Sequence, residues 1–159
     1  MVYNAPRWIF LIYKMEFDMM RKTLSILVAV IGLVSLPAMA DVNGAITLSK
    51  KYANIAKVIN KDYKGPDAAA GKAFFNRELS LKGKPVSCSS CHTANPADKG
   101  KHSATGKEIL PLAPSANTKR FSDLDKVEKN FEKHCLEVIA RDCTAAEKAD
   151  YIAYLLTVK

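Results

Sequence analysis

Residues 88–92 read Cys88-Ser89-Ser90-Cys91-His92, and no other stretch of the chain constrains its fold as tightly. A C-x-x-C-H run is the attachment site of a c-type haem. The two thiols add across the porphyrin vinyl groups as thioethers, so the two-residue spacer sets the gap between their sulfurs. The histidine that follows is held beneath the iron as proximal ligand. A thioredoxin-like redox pair does not require that trailing histidine. A tetrahedral zinc site would have to draw the adjacent Cys91 and His92 onto one ion with strained geometry. The motif therefore predicts one covalent haem c, with Cys88 and Cys91 as the thioether residues and His92 as axial iron ligand.

Upstream, Arg21 and Lys22 precede a 13-residue apolar run from Leu24 to Leu36, and Pro37-Ala38-Met39-Ala40 supplies a small-x-small cleavage pattern. This predicts a signal peptide over residues 19–40, cleaved after Ala40, and a periplasmic protein. The apolar run is too short to span a bilayer, so no membrane anchor is expected after cleavage. Residues 1–18 read as an over-called translation start, with Met19 or Met20 as initiator. The expected mature domain, 41–159, loses four of 24 basic and two of 16 acidic residues, which changes the formal charge from +8 to +6. Its length suits one small domain whose core is completed by a buried porphyrin.

Cleavage also removes every methionine: Met1, Met15, Met19, Met20 and Met39 all precede residue 41. Histidine–methionine ligation, which raises the iron potential of many electron-carrying cytochromes c, is thereby excluded. The sixth ligand must be another histidine, some other nitrogen or oxygen donor, a thiolate, or nothing.

Local signals predict a mostly α domain with irregular loops. Residues 45–61 read as an amphipathic helix with Ile46, Ile55 and Val58 as its apolar face. Asp67 is placed to cap a helix over 68–78, and residues 79–86, with Gly83 and Pro85, read as a loop delivering the chain to Cys88. Residues 93–120 are rich in turn formers. Ser122 or Asp123 can cap a helix carrying Val127, Phe131 and Cys135, and Thr144 with Glu147 forms a capping box for a last helix over 145–157. Gly71 and Phe75, with Tyr151, Tyr154 and Leu155, resemble the crossed terminal helices of class I cytochromes c, where a small residue admits close approach and aromatics seal the crossing.

Several longer runs narrow the resemblance. Thr105–Ser115 (TGKEILPLAPS), Arg120-Phe121, Val127-Glu128-Lys129, Arg141-Asp142-Cys143-Thr144 and Glu147-Lys148-Ala149-Asp150 resemble, in one register over about 67–158, the sphaeroides haem protein family. That resemblance implies a small periplasmic class I cytochrome c whose sixth ligand is an asparagine that leaves the iron on reduction, opening a site for oxygen or nitric oxide. It also implies a dihaem cytochrome c and a membrane b-type cytochrome as redox partners. In the family the ligand asparagine directly precedes the first cysteine of a disulfide; this chain has His134 there, before Cys135. The register and the missing methionine make His134 the expected distal axial ligand. Imidazole binds iron in both oxidation states more strongly than a carboxamide, so an open ferrous site does not follow automatically. His102, ten residues after His92 in a lysine- and glycine-rich stretch, is the competitor.

Cys135 and Cys143 are the two cysteines left over, and an even remainder in an exported chain favours a disulfide. On a straight helix they would sit about 12 Å apart. The chain must therefore break, near 140–142, to bring their Cα atoms within about 7 Å. Lys72, Lys82, Lys84, Lys99, Lys101 and Lys107 surround the haem motif in sequence and would form a basic ring able to steer an acidic redox partner. Nothing supports nucleic-acid binding. No proton-shuttling or nucleophilic constellation stands out, so the chain reads as an electron carrier rather than an enzyme, with binding of a diatomic gas as the alternative.

Overall fold

The computed structural model describes residues 40–81 and 83–159; the expected start segment 1–18 and, apart from Ala40, the signal segment 19–40 lie outside the described residues. In chain order the described residues form α1 (Ala40–Ile59), α2 (Ala68–Asn76), β1 (Leu79–Leu81), β2 (Lys84–Val86), α3 (Cys88–His92), β3 (Gly100–Lys101), β4 (Glu108–Ile109), α4 (Leu124–Ile139) and α5 (Ala145–Thr157). The strands make two small antiparallel ribbons, β1–β2 and β3–β4, and the rest of the regular structure is helical. No described helix is long and apolar enough to cross a membrane.

The framework is the crossing of α2 and α5. A Cβ added at Gly71 would overlap the carbonyl oxygen of Asp150 and lie 2.9 Å from the Tyr151 nitrogen, so α2 lies directly on the α5 backbone. Phe75 is fully buried against Tyr151 and Tyr154, its ring centroid 6.1 and 5.7 Å from theirs. Asp150 also holds the entry to α2, accepting from Tyr63 Oη at 2.8 Å and from the Asp67 nitrogen at 2.9 Å. Asp67 in turn caps α2 by accepting from Ala69 and Ala70.

Helix α1 packs on the same partner, with Ser49 Oγ donating to the Ala149 carbonyl at 3.2 Å. Its buried stripe is Ala45, Leu48, Tyr52, Ala53 and Ala56, not the expected Ile46, Ile55 and Val58. Val58 and Ile59 are 72% and 78% exposed. Small alanines let the helix sit close to α5, and the helix ends at Ile59, where Asn60 Oδ1 accepts from the Asp62 nitrogen. Large apolar side chains were the wrong guide to a close-packed face. The expected loop 79–86 is instead a hairpin pairing Leu79 with Val86, its turn admitted by Gly83 at φ +76°.

Helix starts follow their local chemistry. Asp123 caps α4 by accepting from the Lys126 nitrogen at 3.0 Å. Thr144 and Glu147 satisfy each other's backbone nitrogens at the start of α5, at 2.9 and 3.2 Å. Burial alone would raise the Glu147 carboxyl, but hydrogen bonds from Arg141 and Thr144 outweigh it and hold the group at about 2.

Candidate cofactor site

The short helix α3 presents the C-x-x-C-H residues. Ser87 starts it with a reciprocal cap: its nitrogen donates to Ser90 Oγ at 3.0 Å, and its Oγ accepts from the Ser90 nitrogen at 3.2 Å. Cys88 and Cys91, three residues apart, therefore share a face. Directly after His92 the chain turns sharply at Thr93, whose φ of +62° is unusual for a β-branched residue. The β3 ribbon then runs back over α3. A Cβ at Gly100 would overlap the Cys91 carbonyl oxygen and lie 3.0 Å from the His92 Cα. Sequence reasoning passed over Gly100, because only tertiary approach makes a glycine necessary there. Gly100→Ala is expected to cost about 1–3 kcal/mol by pushing the ribbon off α3. Denaturant unfolding checks it, and an unchanged midpoint would show that the ribbon yields freely.

Cys88, Cys91 and His92 line one side of a cleft of about 310 Å³, and α4 lines the other with Val127, Phe131 and His134. The His92 and His134 rings face each other across it, centroids 6.3 Å apart and planes at 84°. Cys135, beside His134, is disulfide-bonded to Cys143 with Cα atoms 5.6 Å apart. The break that brings them together is at Ala140, left-handed at φ +55°, which ends α4. His134 is half-exposed, and its Nδ1 lies 2.9 Å from Glu137 Oε2. His102 also borders the cleft, but its Nδ1 accepts from the nitrogens of Ala104 and Thr105, both at 3.2 Å, and so organises its own turn.

The electrostatics suit a neutral ligand imidazole and do not suit a redox-active thiolate pair. Burial pushes the Cys88 thiol up to about 11, opposite to the low value of a reactive thiolate. Burial, with the Arg120 charge and His134 adding to it, lowers His92 to about 4, so its imidazole is neutral. Arg120 lines the same cleft, and its buried Nε finds no hydrogen-bond partner among the described residues. Of the lysines expected to ring the site, Lys82 lies outside the described residues. Lys72, Lys84, Lys99, Lys101 and Lys107 are exposed without lining the cleft, and Lys99 is paired with Glu108 at 3.0 Å.

These residues fit a haem. With a metal–nitrogen bond of about 2.0 Å and a ring nitrogen about 1.1 Å from its ring centre, two axial imidazoles on one ion place their centroids about 6 Å apart. A porphyrin provides the four remaining iron ligands, so two imidazoles suffice. Among the described residues no three His, Cys, Asp or Glu side chains gather into a protein-only metal cluster. Arg120 brings a cation to this cleft, its buried Nε without a partner among the described residues, and the anionic propionates of a haem would match it.

The family described as a domain of unknown function, DUF1924, matches residues 61–155. The chain belongs to the DUF1924 family. This DUF1924 protein is 53% identical to cytochrome c'' of Methylophilus methylotrophus over 133 residues, 82% of this chain and 92% of that one. It is 48% identical over 91 residues to the cytochrome c-type protein SHP of Cereibacter sphaeroides, covering 56% and 69% of the two chains. The crystal structure of oxidized cytochrome c'' superposes with TM-score 0.72 at 53% identity, over 75% of this chain and 98% of that one. The structure of oxidized SHP, described as an oxygen binding cytochrome c, gives TM-score 0.62 at 40% identity over 70% and 94%. The DUF1924 protein is thus a helical c-type cytochrome of the sphaeroides haem protein type, and its cofactor is haem c.

Proposed function

We propose that this cytochrome transfers single electrons in the periplasm through one haem held by Cys88 and Cys91 as thioethers, with His92 and His134 as axial ligands. The observation that carries the reading is the pair of imidazoles facing each other across the cleft at 6.3 Å. Bound there, haem supplies a one-electron iron couple. The chain's contribution is to position both ligands. Burial keeps His92 neutral at the end of α3. The disulfide and the Ala140 break set where the end of α4 carries His134. Arg120 offers its guanidinium to the propionates.

A second reading is supported by the relatives. One solution structure of cytochrome c'', with TM-score 0.68 to this chain, concerns haem-ligand detachment, and SHP is described as oxygen binding. His134 sits on a half-exposed helix surface, its side chain 46% accessible. Its departure on reduction would open a position for oxygen or nitric oxide without unpacking the core. Redox partners of the dihaem cytochrome c and membrane b-type classes fit both readings. The exposed lysines, among them Lys84, Lys101 and Lys107, would steer them in a salt-dependent way.

The test is ligand substitution. Ferric wild-type protein is expected to be low-spin. His134→Asn is expected to turn high-spin and to bind carbon monoxide readily when reduced, whereas His102→Ala leaves the spectrum unchanged. Wild-type ferrous protein that ignores carbon monoxide supports the pure carrier, and rapid binding supports the detachable ligand. If His102→Ala turns high-spin while His134→Asn stays low-spin, the distal assignment is wrong.

A further inference from the structure

We infer that Glu137 is the positioning residue for the distal ligand: its carboxylate takes the Nδ1–H of His134, leaving Nε2 as the ligating atom and holding the ring across the haem cleft. The inference rests on the reading of His134 as the distal ligand. Glu137 lies one turn beyond His134 on α4, and its Oε2 is 2.9 Å from Nδ1. Both side chains border the cleft. The contact is an i,i+3 pair on one helix face, so it forms without help from another element. Lys133 Nζ approaches the other carboxylate oxygen at 3.9 Å, leaving Oε2 to the histidine.

The chemistry follows from an imidazole's two nitrogens. A histidine that binds a metal through one nitrogen offers the other as a donor, and a carboxylate acceptor there fixes tautomer and ring direction and raises ligand basicity. A more basic imidazole favours the more highly charged iron. Glu137 therefore strengthens the distal bond in the ferric state more than in the ferrous state, and it opposes rotation of the ring from the 84° it makes with His92. The asparagine that the resembled family carries at this position has no second ring nitrogen to be held in this way. The sequence presents Glu137 only as one more charge on a charged helix, since nothing local distinguishes it from Glu132.

The experiment compares Glu137→Ala, Glu137→Gln and His134→Ala in the full haem-loaded protein. Three signals are read: midpoint potential, ferric low-spin electron paramagnetic resonance (which senses the angle between the two imidazole planes), and the rate of carbon monoxide binding after reduction. Glu137→Ala is expected to weaken ferric ligation roughly tenfold, the low end for lost outer-sphere partners. That raises the midpoint by about 59 mV if ferrous ligation is untouched. It should also broaden or shift the low-spin signal and speed carbon monoxide binding. Glu137→Gln, which keeps an oxygen acceptor without the charge, should restore the ring-angle signal while leaving most of the potential shift. If His134→Ala turns the ferric protein high-spin but Glu137→Ala matches wild type in all three signals, the role of Glu137 is overturned and the distal assignment stands. If His134→Ala leaves the ferric spectrum unchanged, both are overturned.

Discussion

Replacing Cys88 and Cys91 together with alanine is expected to yield a protein from which acid–acetone removes all the haem, whereas wild type retains all of it. The two classes of bond at the site respond differently to acid. Iron–imidazole bonds fail because acid protonates the ligand nitrogens, and a haem held by His92 and His134 alone would then leave with the solvent. Thioether carbon–sulfur bonds survive both acid and solvent. Cys88 and Cys91 are the two free cysteines among the described residues, and both border the cleft. Either single variant should keep the haem through the remaining thioether. Intact mass of the wild-type chain should exceed that of the polypeptide by one haem. Wild-type haem that extracts, or an unmodified mass, would end the covalent assignment.

Gly71→Ala is expected to destabilise the domain by about 2 kcal/mol. The added carbon would overlap the Asp150 carbonyl oxygen, which is backbone and cannot rotate aside as a side-chain tip could. Helix α2 must lift from α5, loosening Phe75 from Tyr151 and Tyr154. Such overpacking costs about 3 kcal/mol, and alanine's better helix propensity offsets about 1 of it. For a domain of this size the net loss lowers the melting temperature by roughly 10 °C. Urea unfolding followed by far-ultraviolet circular dichroism measures it. A midpoint equal to or above that of wild type would mean that the crossing has slack the structure does not display.

Sequence reading succeeded where the physics is local. Asp67, Asp123 and the Thr144–Glu147 box cap their helices because a cap needs only its own first turn. Gly71 and its aromatic partners were legible because a small residue opposite an aromatic stripe is a recognisable pairing. Helix α1 was misread because its contact face joins Leu48 and Tyr52 to three alanines, while its apolar Val58 and Ile59 face solvent. The hairpin over 79–86 was missed because its strands are three residues each, too short for alternation such as Leu79-Ser80-Leu81 to stand out.

The cofactor chemistry was determined by the sequence alone. The C-x-x-C-H run that predicts haem attachment is a matter of neighbours in the chain, and the lack of methionine after residue 40 is a matter of composition. Tertiary structure decided which groups meet across that chemistry. It set His134, which the family register already favoured over His102, opposite His92, because α4 lines the other side of the cleft while His102 is tied into its own turn. It left the Arg120 Nε without a partner among the described residues inside the cleft and set Gly100 against the Cys91 backbone. Each of these depends on distances between segments remote in sequence, and a local pattern of residue types carries no information about such distances.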